Sequence, residues 1–147
     1  MATQALRDDT TDHPGYLLKR AQVALNAAMN AAFHPHGATL PQYAVLTALD
    51  EEPGLSNAEL ARRAFVTPQT MNQVLRELEQ RNWVSRHPHP AHGRILQADL
   101  TRDGRQTLRA CHQAADAVEE RMLAKLTPAA RQQLATALRT CIEGLSH

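Results

Sequence analysis

Aromatic residues make up only 3% of this 147-residue sequence, so its core must be aliphatic and alanine-rich, a composition that favours helices. Cysteine is scarce as well. Cys111 and Cys141 form neither a disulfide framework nor a metal-ligand spacing, and both are expected to be reduced. No apolar run reaches membrane-spanning length and no secretory signal pattern appears, which points to the cytoplasm and away from membranes. Internal repeats and low-complexity tracts are missing too. There is no nucleophile elbow, phosphate-binding loop or pair of catalytic carboxylates, and the neighbours Cys111 and His112 point to different helix faces. No enzyme, catalytic residue or cofactor is therefore expected.

What is present fits one domain, or one intertwined subunit, with enough apolar content for a real core. The net charge of +1 says little until it is divided along the chain. Residues 56–105 hold eight arginines against five acids, a surplus of +3, whereas residues 1–55 hold three bases against six acids, or −3. Positive charge thus gathers in the middle of the chain, as binding to a phosphate backbone requires.

That middle stretch carries the clearest local signals. Ser56 is placed to cap a helix, and Glu59 three residues on completes a capping box; Leu60, Ala61 and Ala64 give the helix a short apolar face. Thr67-Pro68 starts a second helix, with threonine as N-cap and proline preset for the first helical position. Met71, Val74, Leu75 and Leu78 share one side of it, while Gln69, Asn72, Gln73, Arg76 and Gln80 point the other way. Residues 83–86 and 94–100 then read as a hairpin around a long tip, His87 to Gly93. Helix, turn, helix and hairpin in that order make a winged helix-turn-helix. The outward face of its second helix is rich in amides and carries one arginine, a set suited to base edges in a major groove. Arg94, just past Gly93, is placed to enter a narrow, electronegative minor groove.

Flanking helices complete the chain. Residues 1–13 read as a polar, acidic arm. From Pro14 to Phe33 a stripe of Leu17, Leu18, Ala21, Leu25, Ala28, Met29 and Ala32 predicts a helix roughly 30 Å long, stopped at His34-Pro35. A second helix runs from Pro41 to about Asp50. Thr101 caps a third, to about Lys125, and Thr127-Pro128 starts a last one with the stripe Leu134, Leu138, Cys141, Ile142 and Leu145. Gly104, in the first turn after Thr101, runs against helix propensity, and close packing on the base of the wing would account for it. Long amphipathic helices at both ends of so small a head need a cover, and a two-fold homodimer supplies one.

Four stretches together carry a family resemblance: Leu40-Pro41-Gln42-Tyr43-Ala44-Val45-Leu46, Ala58-Glu59-Leu60-Ala61, Leu78-Glu79-Gln80-Arg81-Asn82-Trp83-Val84-Ser85-Arg86, and Gly93-Arg94 with Leu100-Thr101-Arg102-Asp103-Gly104. In order and spacing the chain resembles the multiple-antibiotic-resistance regulator (MarR) family. The resemblance implies a mainly α fold with a small β-hairpin, in which the winged helix-turn-helix (56–104) sits between dimerisation helices formed by residues 1–55 and 105–147. It also implies a transcriptional regulator, most often a repressor, that binds a palindromic operator in double-stranded DNA as a homodimer and is released by a small aromatic or phenolic effector. In one place the chain departs from the family: His92 stands where an aspartate usually helps to hold the wing, which leaves Pro88 and Pro90 to stiffen the loop.

The residues expected to meet DNA are Ser56, Thr67, Gln69, Thr70, Asn72, Gln73, Arg76, His89 and Arg94. Met29, Phe33, His36, Tyr43 and His112 are the candidates for lining an effector pocket where the long helices meet the head. Eight histidines invite a metal reading through His34, His36 and His112, set against the plainer reading that they cap turns or face solvent; no metal site is assigned. A thiol switch at Cys111 or Cys141 competes with ordinary packing at stripe positions. A winged helix that docks a protein remains the rival to one that reads DNA.

Overall fold

The structure, a computed structural model, describes residues 12–146. The acidic arm expected over residues 1–13 therefore lies almost wholly outside the described residues. Six α-helices follow: α1 (Pro14–Phe33), α2 (Leu40–Glu51), α3 (Asn57–Arg63), α4 (Pro68–Gln80), α5 (Arg102–Leu123) and α6 (Pro128–Leu145). Three short strands, β1 (Leu55–Ser56), β2 (Val84–Pro88) and β3 (Leu96–Leu100), complete the secondary structure of the described residues, with a 3-10 turn at His34–His36. Hydroxyl caps account for most helix starts. The side chains of Thr39, Ser56, Thr67, Thr101 and Thr127 each accept from a backbone N–H in the first turn.

The strands form one antiparallel sheet in the order β1-β3-β2, with Leu55 opposite Ala98 and Arg86 opposite Ala98 from the other side. Leu55, just before residue 56, joins this sheet. At the other end, residues 102–104 already belong to α5. The hairpin tip is displaced along the chain: β2 reaches Pro88, which an edge strand tolerates, and the seven-residue tip moves from the expected 87–93 to residues 89–95.

Two apolar clusters hold the described residues together. The larger packs Leu46 and Leu49 of α2 and Leu60 of α3 against Met71, Leu75 and Leu78 of α4, with Val84 and Leu100 of the sheet and Leu108 of α5. The smaller joins Phe33, Ala38, Cys111 and Ala115, and both Tyr43 and Trp83 pack against both clusters. Each large aliphatic side chain buried this way contributes about 1.5–3 kcal/mol. Gly104 shows why the two parts sit so close. A Cβ on it would lie 2.0 Å from the Trp83 carbonyl oxygen, so only glycine lets α5 start against the base of the wing.

The outer helices are another matter. Of α1 only Phe33 is buried, and α6 buries no residue at all. Leu17, Leu18, Leu134, Leu138, Ile142 and Leu145 are exposed in the single chain. Exposed apolar stripes on long helices of this kind mark association faces.

Candidate nucleic-acid interface

Helix α4 is divided as its sequence period predicts. Met71, Val74, Leu75 and Leu78 are buried, whereas Gln69, Thr70, Gln73 and Arg76 are exposed and Asn72 is half-buried. Thr67 and Ser56 are occupied at the starts of their helices. Thr67 Oγ1 accepts from the Thr70 N–H at 3.1 Å and donates to Thr70 Oγ1 at 3.0 Å; Ser56 Oγ accepts from the Glu59 N–H at 3.3 Å and donates to the Glu59 carboxylate at 2.9 Å. Asn57 Nδ2 donates to the Pro68 carbonyl at 3.2 Å, which ties the two helix starts together.

Sequence reasoning missed Glu77. Its carboxylate accepts from Gln73 Nε2 at 3.4 Å and from Gln42 Nε2 at 3.1 Å, so it links the outward face of α4 to the first turn of α2. Gln42 is the one buried polar side chain among the described residues, and it also closes a capping box with Thr39. The Thr-x-x-Gln spacing was the available signal for that box. Nothing local pointed to a partner 35 residues away.

The wing is held by its own side chains. His87 Nε2 lies 3.3 Å from the Asp99 carboxylate and Arg86 lies 3.2 Å from that of Glu79. At the tip, the His89 N–H donates to the Ile95 carbonyl and the Ile95 N–H to the His92 carbonyl, both at 2.8 Å. His89 Nδ1 accepts from the N–H groups of Ala91 at 3.0 Å and His92 at 3.2 Å. The tip is therefore ordered by a histidine acceptor instead of an aspartate, and this employs one nitrogen of His89 before any DNA arrives. Gly93 is not needed for a left-handed turn; only Gly37 and Gly54 among the described glycines have positive φ. Arg94, third residue of the turn closed by Ile95, is exposed and forms no ion pair among the described residues.

Behind the head, α1, α2 and α5 form an open-sided cavity of about 190 Å³ lined by Leu25, Met29, Tyr43, Ala115, Asp116, Glu119 and Met122. Of the five residues expected there, Met29 and Tyr43 line it. Phe33 does not, because it is fully buried against Tyr43, ring centroids 4.6 Å apart. His36 does not, because the 3-10 turn leaves it exposed. His112 stands behind the wall, its Nδ1 2.7 Å from the Tyr43 hydroxyl. Burial pushes the Tyr43 phenol above its ordinary pKa, and the negative charges of Asp116 and Glu119 act in the same direction. These two acids were missed because they lie beside the α5 stripe, where a solvated face is the ordinary expectation.

No three histidine, cysteine or acidic side chains among the described residues converge as metal ligands, and His34, His36 and His112 do not come together as such a group. Cys111 is buried, which raises its thiol pKa and keeps it protonated; Cys141 is exposed on α6.

A capped helix pair with an outward amide face, beside a hairpin that carries an unpaired arginine, defines a winged helix-turn-helix DNA-binding regulator. Comparison with known proteins agrees. Residues 36–95 match the MarR family profile. The chain is 46% identical over 113 residues to the HTH-type transcriptional repressor Rv2887 of Mycobacterium tuberculosis, a match that spans 77% of this chain and 81% of the relative. It is similar to the solved structure of that protein in complex with DNA, with TM-score 0.75, 39% identity, and 88% and 97% of the two chains covered. The likeness to the same protein in complex with salicylic acid has TM-score 0.73 and 41% identity, covering 88% and 96%. The chain belongs to the MarR family and is a DNA-binding transcriptional regulator.

Proposed function

We propose that the protein is a homodimeric repressor that binds a palindromic operator and is released by a small aromatic or phenolic effector. The observation that carries this reading is the exposed row of Gln69, Thr70, Gln73 and Arg76 opposite a fully buried stripe. Residues 56–104 act as the reading head. Gln69, Asn72, Gln73 and Arg76 meet base edges; Thr70 and His89 meet the backbone, as do Ser56 and Thr67 once their hydroxyl protons turn from Glu59 and Thr70 to a phosphate; Arg94 enters the flanking minor groove. Residues 1–55 and 105–147 dimerise, covering the apolar faces of α1 and α6, and set two heads about 34–36 Å apart. The protein acts in the cytoplasm and catalyses nothing.

The effector is held in the cavity beside Tyr43. A cavity of about 150 Å³ accommodates benzene, so a volume near 190 Å³ suits a single ring. None of the lining residues is basic, and the polar groups are the Tyr43 phenol and the carboxylates of Asp116 and Glu119. This chemistry favours a ring that donates hydrogen bonds, a phenol or an aromatic amine. The route to DNA is short, because Tyr43 on the cavity wall adjoins Gln42, which holds Glu77, which holds Gln73. A ligand that moves the first turn of α2 therefore moves the reading face.

A mobility-shift titration against DNA from upstream of the coding sequence tests this, run across salt and with added phenols. Expected are a footprint with two-fold symmetry, a steep negative salt slope and release by one class of phenol. Equal affinity for random duplex would defeat the reading.

A further inference from the structure

Three segments end in the same backbone closure, in which a residue in the left-handed region lets its own N–H and that of the next residue return to the preceding turn. After the 3-10 turn that residue is Gly37, φ 73°, and after α4 it is Asn82, φ 60°. These are the residue types that the conformation favours. After α3 it is Phe65, φ 56°, with its N–H donating to Arg62 at 3.3 Å and that of Val66 to Ala61 at 3.1 Å.

Phenylalanine is the wrong residue for that position on two counts. Its Cβ strains the left-handed backbone, and its ring gains no packing, being 94% exposed. No other large apolar side chain among the described residues is as exposed. Folding therefore does not explain it. Its position suggests what does. Phe65 stands two residues before Thr67, the N-cap of α4, and the N-terminal end of a reading helix is the part that enters the major groove. The adjacent Arg62 is exposed and has no acidic partner among the described residues, so the turn is both apolar and positively charged.

We infer that Phe65 is a specificity-determining DNA contact whose ring packs on the C5-methyl group of a thymine at the edge of each half-site. The inference rests on the reading of α4 as the DNA-reading helix. Apolar contact with that methyl is the one base-edge interaction in the major groove that needs no hydrogen bond.

The test uses full-length protein and the duplex it protects in footprinting. Phe65→Asn and Phe65→Gly suit the left-handed backbone, so both should leave Tm unchanged or raise it by about 2–4 °C. Both should weaken operator binding by roughly tenfold per half-site, equivalent to about 60 Å² of aromatic surface returned to water. Replacing thymines one at a time by uracil, which lacks only the methyl, should reveal one position per half-site where the wild type loses affinity and the variants do not. Unchanged operator affinity in the variants, no such thymine, or a fall in Tm that accounts for the lost binding would overturn the inference. If the wild type protects no sequence at all, the reading of α4 falls with it; specific binding that ignores residue 65 sinks this inference alone.

Discussion

Gly104→Ala sets two effects of opposite sign against each other. Helix propensity alone says that alanine in place of a helical glycine stabilises by about 0.5–1 kcal/mol. The structure says the reverse. The new Cβ would meet the Trp83 carbonyl oxygen at 2.0 Å, its carbon at 2.9 Å and Trp83 Cα at 3.2 Å. All three are backbone atoms, so no side chain can swing aside, and α5 and the wing base must part by about 1 Å. Overpacking of this kind costs about 1–3 kcal/mol or more. The same shift strains the bond from the Thr101 N–H to that carbonyl, 3.0 Å long and worth about 0.5–1.5 kcal/mol. The clash wins, with a net loss of about 1–3 kcal/mol. Urea denaturation should show a lower midpoint at unchanged slope. Operator affinity should also fall, because Trp83 leads directly into β2. Gly15→Ala is the control: nothing lies within 4 Å of its added Cβ, and it should be neutral or slightly stabilising. If Gly104→Ala matches or exceeds the wild-type midpoint, the close approach does not govern this packing.

Four further outcomes follow from the interface, the association face and the cavity. Gln73→Ala should lose about 1–3 kcal/mol on the operator and far less on random DNA, read by parallel titrations. Arg94→Ala should lower the salt slope of the dimer by about two, one phosphate-type contact per subunit, with affinity measured from low to physiological salt. Leu138→Asp puts a charge on the exposed stripe of α6 and should yield monomer without operator binding, whereas a DNA-competent monomer in sedimentation would remove the shared-core reading. Asp116→Asn with Glu119→Gln removes the negative charge around Tyr43 and should strengthen binding of aromatic carboxylates several-fold, by about 1 kcal/mol in a half-solvated site. Calorimetry with hydroxybenzoates would show it, and unchanged affinity would place the effector elsewhere.

Local chemistry made much of this protein legible from its residues alone. Thr67-Pro68, Thr101 and Thr127-Pro128 start helices because a hydroxyl acceptor and a preset φ act within one turn, and α1 matches its expected bounds from Pro14 to Phe33. The buried and outward faces of α4 follow from a 3.6-residue period, which any chain in that conformation must obey. Gly104 could be flagged as unusual by propensity, but its reason is a carbonyl 21 residues away in sequence and 2.0 Å away from a Cβ. His89 as the acceptor that orders the wing, Gln42 reaching Glu77, and the exclusion of His36 and Phe33 from the cavity belong to the same kind. In each case the deciding contact depends on how separate elements are oriented, and side-chain type at one position carries no record of that orientation. Propensity and periodicity are properties of a segment, so the sequence contained them; clash, hydrogen-bond partnership and enclosure are properties of pairs, and only the packed chain brings the pairs together.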